Sequence, residues 1–532
     1  MCAALVGALA ALVVASAELE DYCGRTEPSI EALAPAALAG LELAAVGVVT
    51  RHGARAPAKR SSCWPGFDPD AIGWTCARPA EKHELDGLRF ALSYAGTPST
   101  IGERSGCAAG QLLDEGRSQH RALGRALRAA YVGESAAVGA LLPDELPLFG
   151  ETGLALRSSS LERAIVSGEE LVAGLVNASA RAFRRDARRA IPWTVGEPDF
   201  EFIYPNAKRC PRLSELEAAA ATSFARDPEA SAFDARTRAA LEFAMGGGEL
   251  ATLRGNGALD CLAATSCQSA VDTGAALPAN LSGALATDAW AAIQAYEAHL
   301  LSHDRAAWSR LAMGALGHQV LQHARSAVEG QLGRPKFALW SAHDTTVMPL
   351  MAALGVHDGR WAPYAAHFVF EVWRQSGAPP ARAHGATPAP GVAPATKGAR
   401  VRLLYMGRAI TARLPGCADA GALCAYEQLE AALAPWSLPL DEWLAKCEPT
   451  QHERAARGVW LRAAAPRDGE GPARARLSAA AMLARAAAVA AVAAAVAVAY
   501  ARRARSVPYA AARARPGREG DRELEQRLLL AI

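Results

Sequence analysis

Two short stretches hold residue types able to do chemistry together. In "VGVVTRHGARAP", Val46–Pro57, an apolar run is followed at once by Arg51, His52 and Arg55 around a glycine. In "FALWSAHDTTVMPLMAALG", Phe337–Gly355, a second apolar run ends in His343 and Asp344, and Thr345 begins a helical pattern. Three bases in five residues repel one another unless an anion sits between them. Arg51 and Arg55 can fork paired hydrogen bonds onto phosphate oxygens. A neutral, oriented His52 can attack phosphorus and carry the phosphoryl group covalently. The positive cluster would stabilise the charge spread over the equatorial oxygens during transfer. At a helix N-terminus the backbone N–H groups and dipole hold a carboxylate such as Asp344 ionised. A phosphate dianion in the same pocket pushes its pKa up, so Asp344 can then protonate a leaving alkoxide. A lone R-H-G would read as surface ion pairs around a packed histidine. The second H-D after a second apolar run favours the catalytic reading.

The elements around these stretches must bring them together. Leu43 to Thr50 and Phe337 to Trp340 read as short, fully buried strands. Both motifs follow a strand directly, and ligands of open α/β sheets sit at the carboxyl ends of the strands. Gln111 to Tyr131 has helical spacing, with His120, Leu123, Leu127 and Tyr131 on one face; His120 reads as a satisfied structural histidine. Arg157 to Val176 is a second amphipathic stretch, and Leu216 to Glu249 and Thr287 to Glu329 read as helices. Phe368 to Trp373 and Val401 to Met406 read as strands, separated by a Pro/Ala/Gly stretch at roughly 375–399 expected to be a disordered insertion. Cys63 to Cys107 reads as a stapled surface insertion, and Trp340 and Trp361 as core. Strands separated by long helical stretches predict an α/β fold: a central mixed, largely parallel sheet with helices on both faces.

Composition places the protein in a compartment. The chain has 532 residues, 51% hydrophobic and 21% charged, enough to bury a large core. Its net charge of +2 gives no reason to invoke nucleic acid. Residues 1–17, "MCAALVGALAALVVASA", fit a secretory signal cleaved after Ala17. Ten of the 11 cysteines would remain, an even number that suggests disulfides. No pair has the C-x-x-C spacing that zinc usually wants. Sequons at Asn177 and Asn280 suit N-glycosylation. Residues 477–501 are nearly all apolar and precede Arg502, Arg503 and Arg505, the pattern of a single C-terminal transmembrane helix with a basic cytoplasmic tail at 502–532. Arg485 interrupts the run and would snorkel to the interface. Residues 457–476 read as the linker before it. Glu525, Leu529 and Leu530 in the tail have acidic dileucine spacing. A type I single-pass protein of lysosomes, endosomes, Golgi or cell surface is expected, and a homodimer is admitted.

"RHGARAP" together with "SAHDTTV" resembles the histidine acid phosphatases, branch 2 of the histidine phosphatase superfamily, in order through most of residues 41–450. "GQLLDEGRSQHRALGRALRAAY" and "RSSSLERAIVSG" resemble flanking family segments. The resemblance implies a phosphate monoesterase with a phosphohistidine intermediate. His52 would be the nucleophile and Asp344 the proton donor; Arg51, Arg55, Arg163 and His343 would bind phosphate. It implies a small-molecule phosphate ester as partner and a helical cap at roughly 200–300 within a domain of residues 18–456. It also implies disulfides Cys210–Cys447 and Cys417–Cys424, and it implies no metal and no organic cofactor.

Departures from the family pattern bear on details. The acidic residue usual after the glycine is Ala54, read as exposed and of small effect. A cysteine usual near Phe368 is replaced by His367, which leaves a third family disulfide without one of its partners, and Cys261 is expected to pair locally with Cys267. The Cys63 to Cys107 insertion also resembles a relative that removes phosphate from 2-phosphoxylose. Enzymes for inositol polyphosphate and lysophosphatidate are further readings within the family. A phosphate-transferring mutase is opposed by the signal sequence and by Asp344, and an inactive membrane-anchored binding protein by the complete set of motif residues.

Overall fold

A computed structural model describes residues 21–58, 76, 84–85, 88–94, 107, 110–144, 153–176, 191–244, 256–269, 283–331, 333–377 and 398–448. These fall within one unit, Met1–Pro449. The signal segment, both sequons, most of the Pro/Ala/Gly stretch, the linker, the candidate span and the tail lie outside the described residues. Among the described residues no helix is long and apolar enough to cross a membrane.

The strands in chain order are β1 (Leu41–Arg51), β2 (Glu84–Leu85), β3 (Leu88–Tyr94), β4 (Leu154–Ser158), β5 (Ile191–Val195), β6 (Phe337–Ala342), β7 (His367–Gln375), β8 (Arg400–Tyr405), β9 (Arg408–Ala409) and β10 (Cys424–Ala425). They form a ten-stranded sheet, ordered β10-β8-β7-β1-β6-β4-β5-β3-β2, with β9 on β8. Parallel pairing joins β1, β6, β4, β5 and β3. The flank from β1 through β7, β8 and β10 is antiparallel, so parallel pairing is confined to the middle of the sheet. The β8–β9 hairpin turns on Met406 and Gly407, both at positive φ, as a two-residue turn between twisted strands requires.

Two strands explain the apolar runs. Val46 to Arg51 and all of β6 are buried, as expected for neighbouring central strands covered on both faces. Alternate side chains feed two cores. Val46, Val48 and Leu339 pack with Leu123, Leu127, Ile165 and Trp193 on one side. Val49, Ala338 and Phe370 pack with Leu316, Val320 and Leu350 on the other.

The helices are α1 (Asp114–Tyr131), α2 (Glu162–Val176), α3 (Arg212–Phe224), α4 (Pro228–Ala244), α5 (Asn256–Ser269), α6 (Gly283–Ala312), α7 (Gly314–Val328), α8 (Asp344–Ala353), α9 (Tyr426–Leu433) and α10 (Leu440–Cys447). Helix α6 is kinked, with Asp304, Arg305 and Ala306 at positive φ.

Three sequence expectations are corrected. Arg157 belongs to β4 rather than to the start of a helix, and the turn at 159–161 precedes α2. The Cys63 to Cys107 stretch is not merely a surface insertion: it contributes β3, which extends the sheet beside β5. Cys267 bonds Cys23, and Cys261 is disulfide-bonded elsewhere, so the local Cys261–Cys267 pair does not form. Cys210 joins Cys447, Cys417 joins Cys424, and Cys76 joins Cys107.

Candidate active site

Three neighbouring parallel strands deliver the site residues. Arg51 at the end of β1 sits in register with Ala342 at the end of β6, and Ser158 of β4 with Ser341. His52 therefore leaves the sheet beside His343, their ring centroids 5.5 Å apart. The turn after β4 places Arg163 in the first turn of α2. The backbone of His52 is held on both sides: its N–H donates to the Ala342 carbonyl at 3.0 Å, and its carbonyl accepts from Ala365 N–H at 3.1 Å.

The glycine of R-H-G follows from close packing. A Cβ on Gly53 would lie 2.3 Å from the Gly116 carbonyl oxygen, and one on Gly116 would lie 2.3 Å from the Ala54 carbonyl oxygen. The loop and the first turn of α1 touch backbone to backbone. Ala54 is buried there, correcting its reading as exposed; its N–H donates to Gln119 Oε1 at 2.8 Å and its carbonyl accepts from Leu113 N–H at 2.9 Å.

His52 is buried, and its Nδ1 lies 2.8 Å from the Gly53 carbonyl oxygen. A carbonyl only accepts, so Nδ1 carries the proton. Burial, then the fields of Arg163, Arg55, Arg51 and His343, hold the imidazole well below its ordinary pKa. The ring is neutral, and Nε2 keeps its lone pair. His343 is depressed likewise, by burial and Arg163, with Asp344 opposing; its Nε2 lies 2.8 Å from Ser159 Oγ.

Asp344 Oδ2 accepts from Trp361 Nε1 at 3.0 Å and pairs with Arg51 Nη2 at 3.1 Å, while Oδ1 accepts from Thr345 N–H at 2.8 Å. Burial pushes its pKa up, but Arg51, Arg55, Trp361 and Thr345 outweigh it and hold the carboxyl below the usual aspartate value. Trp361, read from sequence as core, thus touches the proposed acid. Trp340 remains core, its ring 6.2 Å from Phe370. Arg51 is fixed by the Ala362 carbonyl at 2.5 Å and the Tyr22 hydroxyl at 2.8 Å, with its guanidinium 4.4 Å from the Tyr364 ring centroid. Arg55 pairs with Asp260 of α5 at 2.5 Å. Burial and Arg55 push Arg163 down to about 10, which leaves it charged.

Behind these groups, His120 Nε2 lies 2.9 Å from the Arg51 carbonyl. Burial pushes this histidine down to about 3, so the neutral ring donates to that carbonyl. It is a positioning residue. Glu297 of α6 is pushed up to about 7 by burial and by the fields of Asp344 and Glu217. Tyr22, Tyr364, Trp361, Ser159 and Asp260 were not found by sequence reasoning. Ser159 stands in the segment that carries Arg163, where nothing marks it apart from its neighbouring serines; the other four belong to no motif, and each arrives from a distant segment. Among the described residues no group of three or more His, Cys, Asp or Glu is placed to hold a metal.

Residues 42–227 and 249–405 match the histidine phosphatase superfamily (branch 2), and the chain belongs to that family. Counting factor 60 of Dictyostelium discoideum is 27% identical over 367 residues, covering 66% of this chain and 80% of the relative. Human testicular acid phosphatase is 30% identical over 353 residues, covering 65% of this chain and 71% of the relative. The solved phytase from Citrobacter braakii aligns over 77% of this chain and all of its own, at 14% identity and a TM-score of 0.46.

Proposed function

We propose that this protein hydrolyses phosphate monoesters through a phosphohistidine on His52. The observation that carries this reading is the Nδ1–H bond of His52 to the Gly53 carbonyl, which leaves Nε2 as the unprotonated nitrogen of a buried ring beside three arginines. Nε2 attacks phosphorus as the ester P–O bond breaks. Arg163, Arg55 and Arg51 balance the charge on the non-bridging oxygens. The two negative charges of the bound ester raise the pKa of Asp344, which takes up a proton and passes it to the departing alkoxide. Water then attacks the phosphoryl group, Asp344 accepts its proton, the P–N bond breaks and inorganic phosphate leaves. His343 and Ser159 line the same face.

The family membership and a relative named an acid phosphatase support an acid phosphatase. Depressed histidine pKa values support it as well, because His52 stays neutral in acid where most imidazoles are charged. Purified protein should turn over p-nitrophenyl phosphate in EDTA with an acid optimum, and His52→Ala should abolish turnover; equal rates in the two proteins would refute the assignment.

The disulfides among the described residues support passage through the secretory pathway. Residues 1–17 serve as the signal, and 477–501 anchor the catalytic part to a membrane. Resistance of the full chain to alkaline carbonate extraction, lost when 477–532 are deleted, would support the anchor; release of the full chain would reject it.

A further inference from the structure

We infer that Asp260 is a specificity-determining residue that turns the site toward phosphate esters of neutral alcohols and away from leaving groups carrying a second anion; this rests on the phosphatase reading above. Asp260 is 11% exposed and grips the loop after β1 at two points. Its Oδ1 pairs with Arg55 Nη1 at 2.5 Å, and its Oδ2 accepts from Ala58 N–H at 2.6 Å. A substrate phosphate reaching Arg55 must share that guanidinium with this carboxylate.

The carboxylate is not a surface group free to swing away. Helix α5 is held by a disulfide at Cys261, the next residue, and by Cys267 bonded to Cys23. Arg25 Nη2 also donates to the Cys267 carbonyl. Chain segments far apart in sequence therefore keep Asp260 against the phosphate loop.

Charge counting gives the consequence. Arg51 is matched by Asp344 and Arg55 by Asp260, which leaves Arg163 as the one unmatched charge among these five groups. When the ester binds and Asp344 takes up its proton, Arg51 joins Arg163 as unmatched, and the two charges of one transferable phosphate neutralise that pair. A carboxylate or second phosphate on the leaving group then meets the field of Asp260 with no cation left for it. The discrimination should be roughly tenfold, the size of one unit charge felt at about 10 Å through an effective dielectric of about 20.

The test compares glycerol 2-phosphate with 2-phosphoglycerate, which differ by a hydroxymethyl against a carboxylate. Wild-type kcat/KM should favour glycerol 2-phosphate by about tenfold. Asp260→Asn keeps the side-chain shape and an acceptor for the Ala58 amide, and should bring the ratio near one. Asp260→Glu should restore the wild-type preference. Calorimetry with inorganic phosphate should show about tenfold tighter binding to Asp260→Asn than to wild type, a readout that needs no turnover. A wild-type preference for 2-phosphoglycerate, or a ratio and phosphate affinity unchanged in folded Asp260→Asn, overturns the inference. Failure of wild type to hydrolyse p-nitrophenyl phosphate as well would instead defeat the phosphatase reading, and the calorimetry would still decide the role of Asp260.

Discussion

In the proposed mechanism Asp344 and His52 divide the work because their surroundings hold one ionised and the other neutral. The imidazole is kept neutral by burial and by surrounding cations, while the carboxyl is kept ionised by Arg51 despite its burial. On this proposal the acid gains its proton when the ester binds. Asp344→Asn should slow an alkyl phosphate such as glycerol 2-phosphate by about 100-fold or more, the usual size of general acid catalysis. It should slow p-nitrophenyl phosphate far less, since p-nitrophenolate leaves unaided. Steady-state kcat on the two substrates checks this; equal losses would remove Asp344 from the acid role. That Arg51, His52, Arg55 and Asp344 gather in one cluster was legible in the sequence because they stand in two contiguous motifs, each at the end of an apolar run. Trp361, Tyr22 and Asp260 were not, since they reach the same groups from unrelated loops and helices with no spacing to mark them.

Strands β1 and β6 were legible for a physical reason: buried on both faces, they read as unbroken apolar runs. The sequence pattern ends them short, at Thr50 and Trp340, because Arg51 and Ser341 look polar yet lie buried in the strands. Arg157 heads an amphipathic run whose apolar residues suit either period, and parallel pairing on β6 and β5 decides for strand. The contact between the β1 loop and α1 was invisible, although both glycines stand in the motifs. Gly53→Ala forces a methyl to within 2.3 Å of a backbone oxygen. It should cost about 1–3 kcal/mol of stability by overpacking. Because His52 is the adjacent residue, kcat should fall by about 100-fold, as for a 1 Å misplacement of a reacting group. Denaturant unfolding and turnover of the variant measure both; wild-type values for each would show that the close contact is not needed.

The molecule as a whole buries several neutral histidines, and this sets its response to acid. Burial pushes His120 down to about 3 and His323 and His367 to about 4. Below about pH 6.5 the unfolded chain binds protons that the folded one refuses. Their stabilising effect is thus intact above that pH and is lost as pH falls toward the folded pKa, at about 1.4 kcal/mol per pH unit for each ring. His323→Gln can still donate to the Val46 carbonyl, which His323 Nε2 meets at 3.2 Å. It should reduce the loss of stability between pH 7 and pH 5 by about 2 kcal/mol; an unchanged loss would show that His323 titrates normally. The disulfides offset this acid sensitivity by tying distant segments, Cys23 to Cys267 and Cys210 to Cys447. The sequence made the second of these readable only through family resemblance, and the first not at all, because pairing depends on where α5 packs.

The most direct measurement is to trap the intermediate. Protein mixed with a substrate labelled on its phosphate, quenched in alkali within the first turnover and digested, should yield label on the peptide containing His52, stable to base and released by acid. His52→Ala should give none. Full turnover of the wild-type protein with no label on His52, or with label on another residue, would contradict the phosphohistidine mechanism.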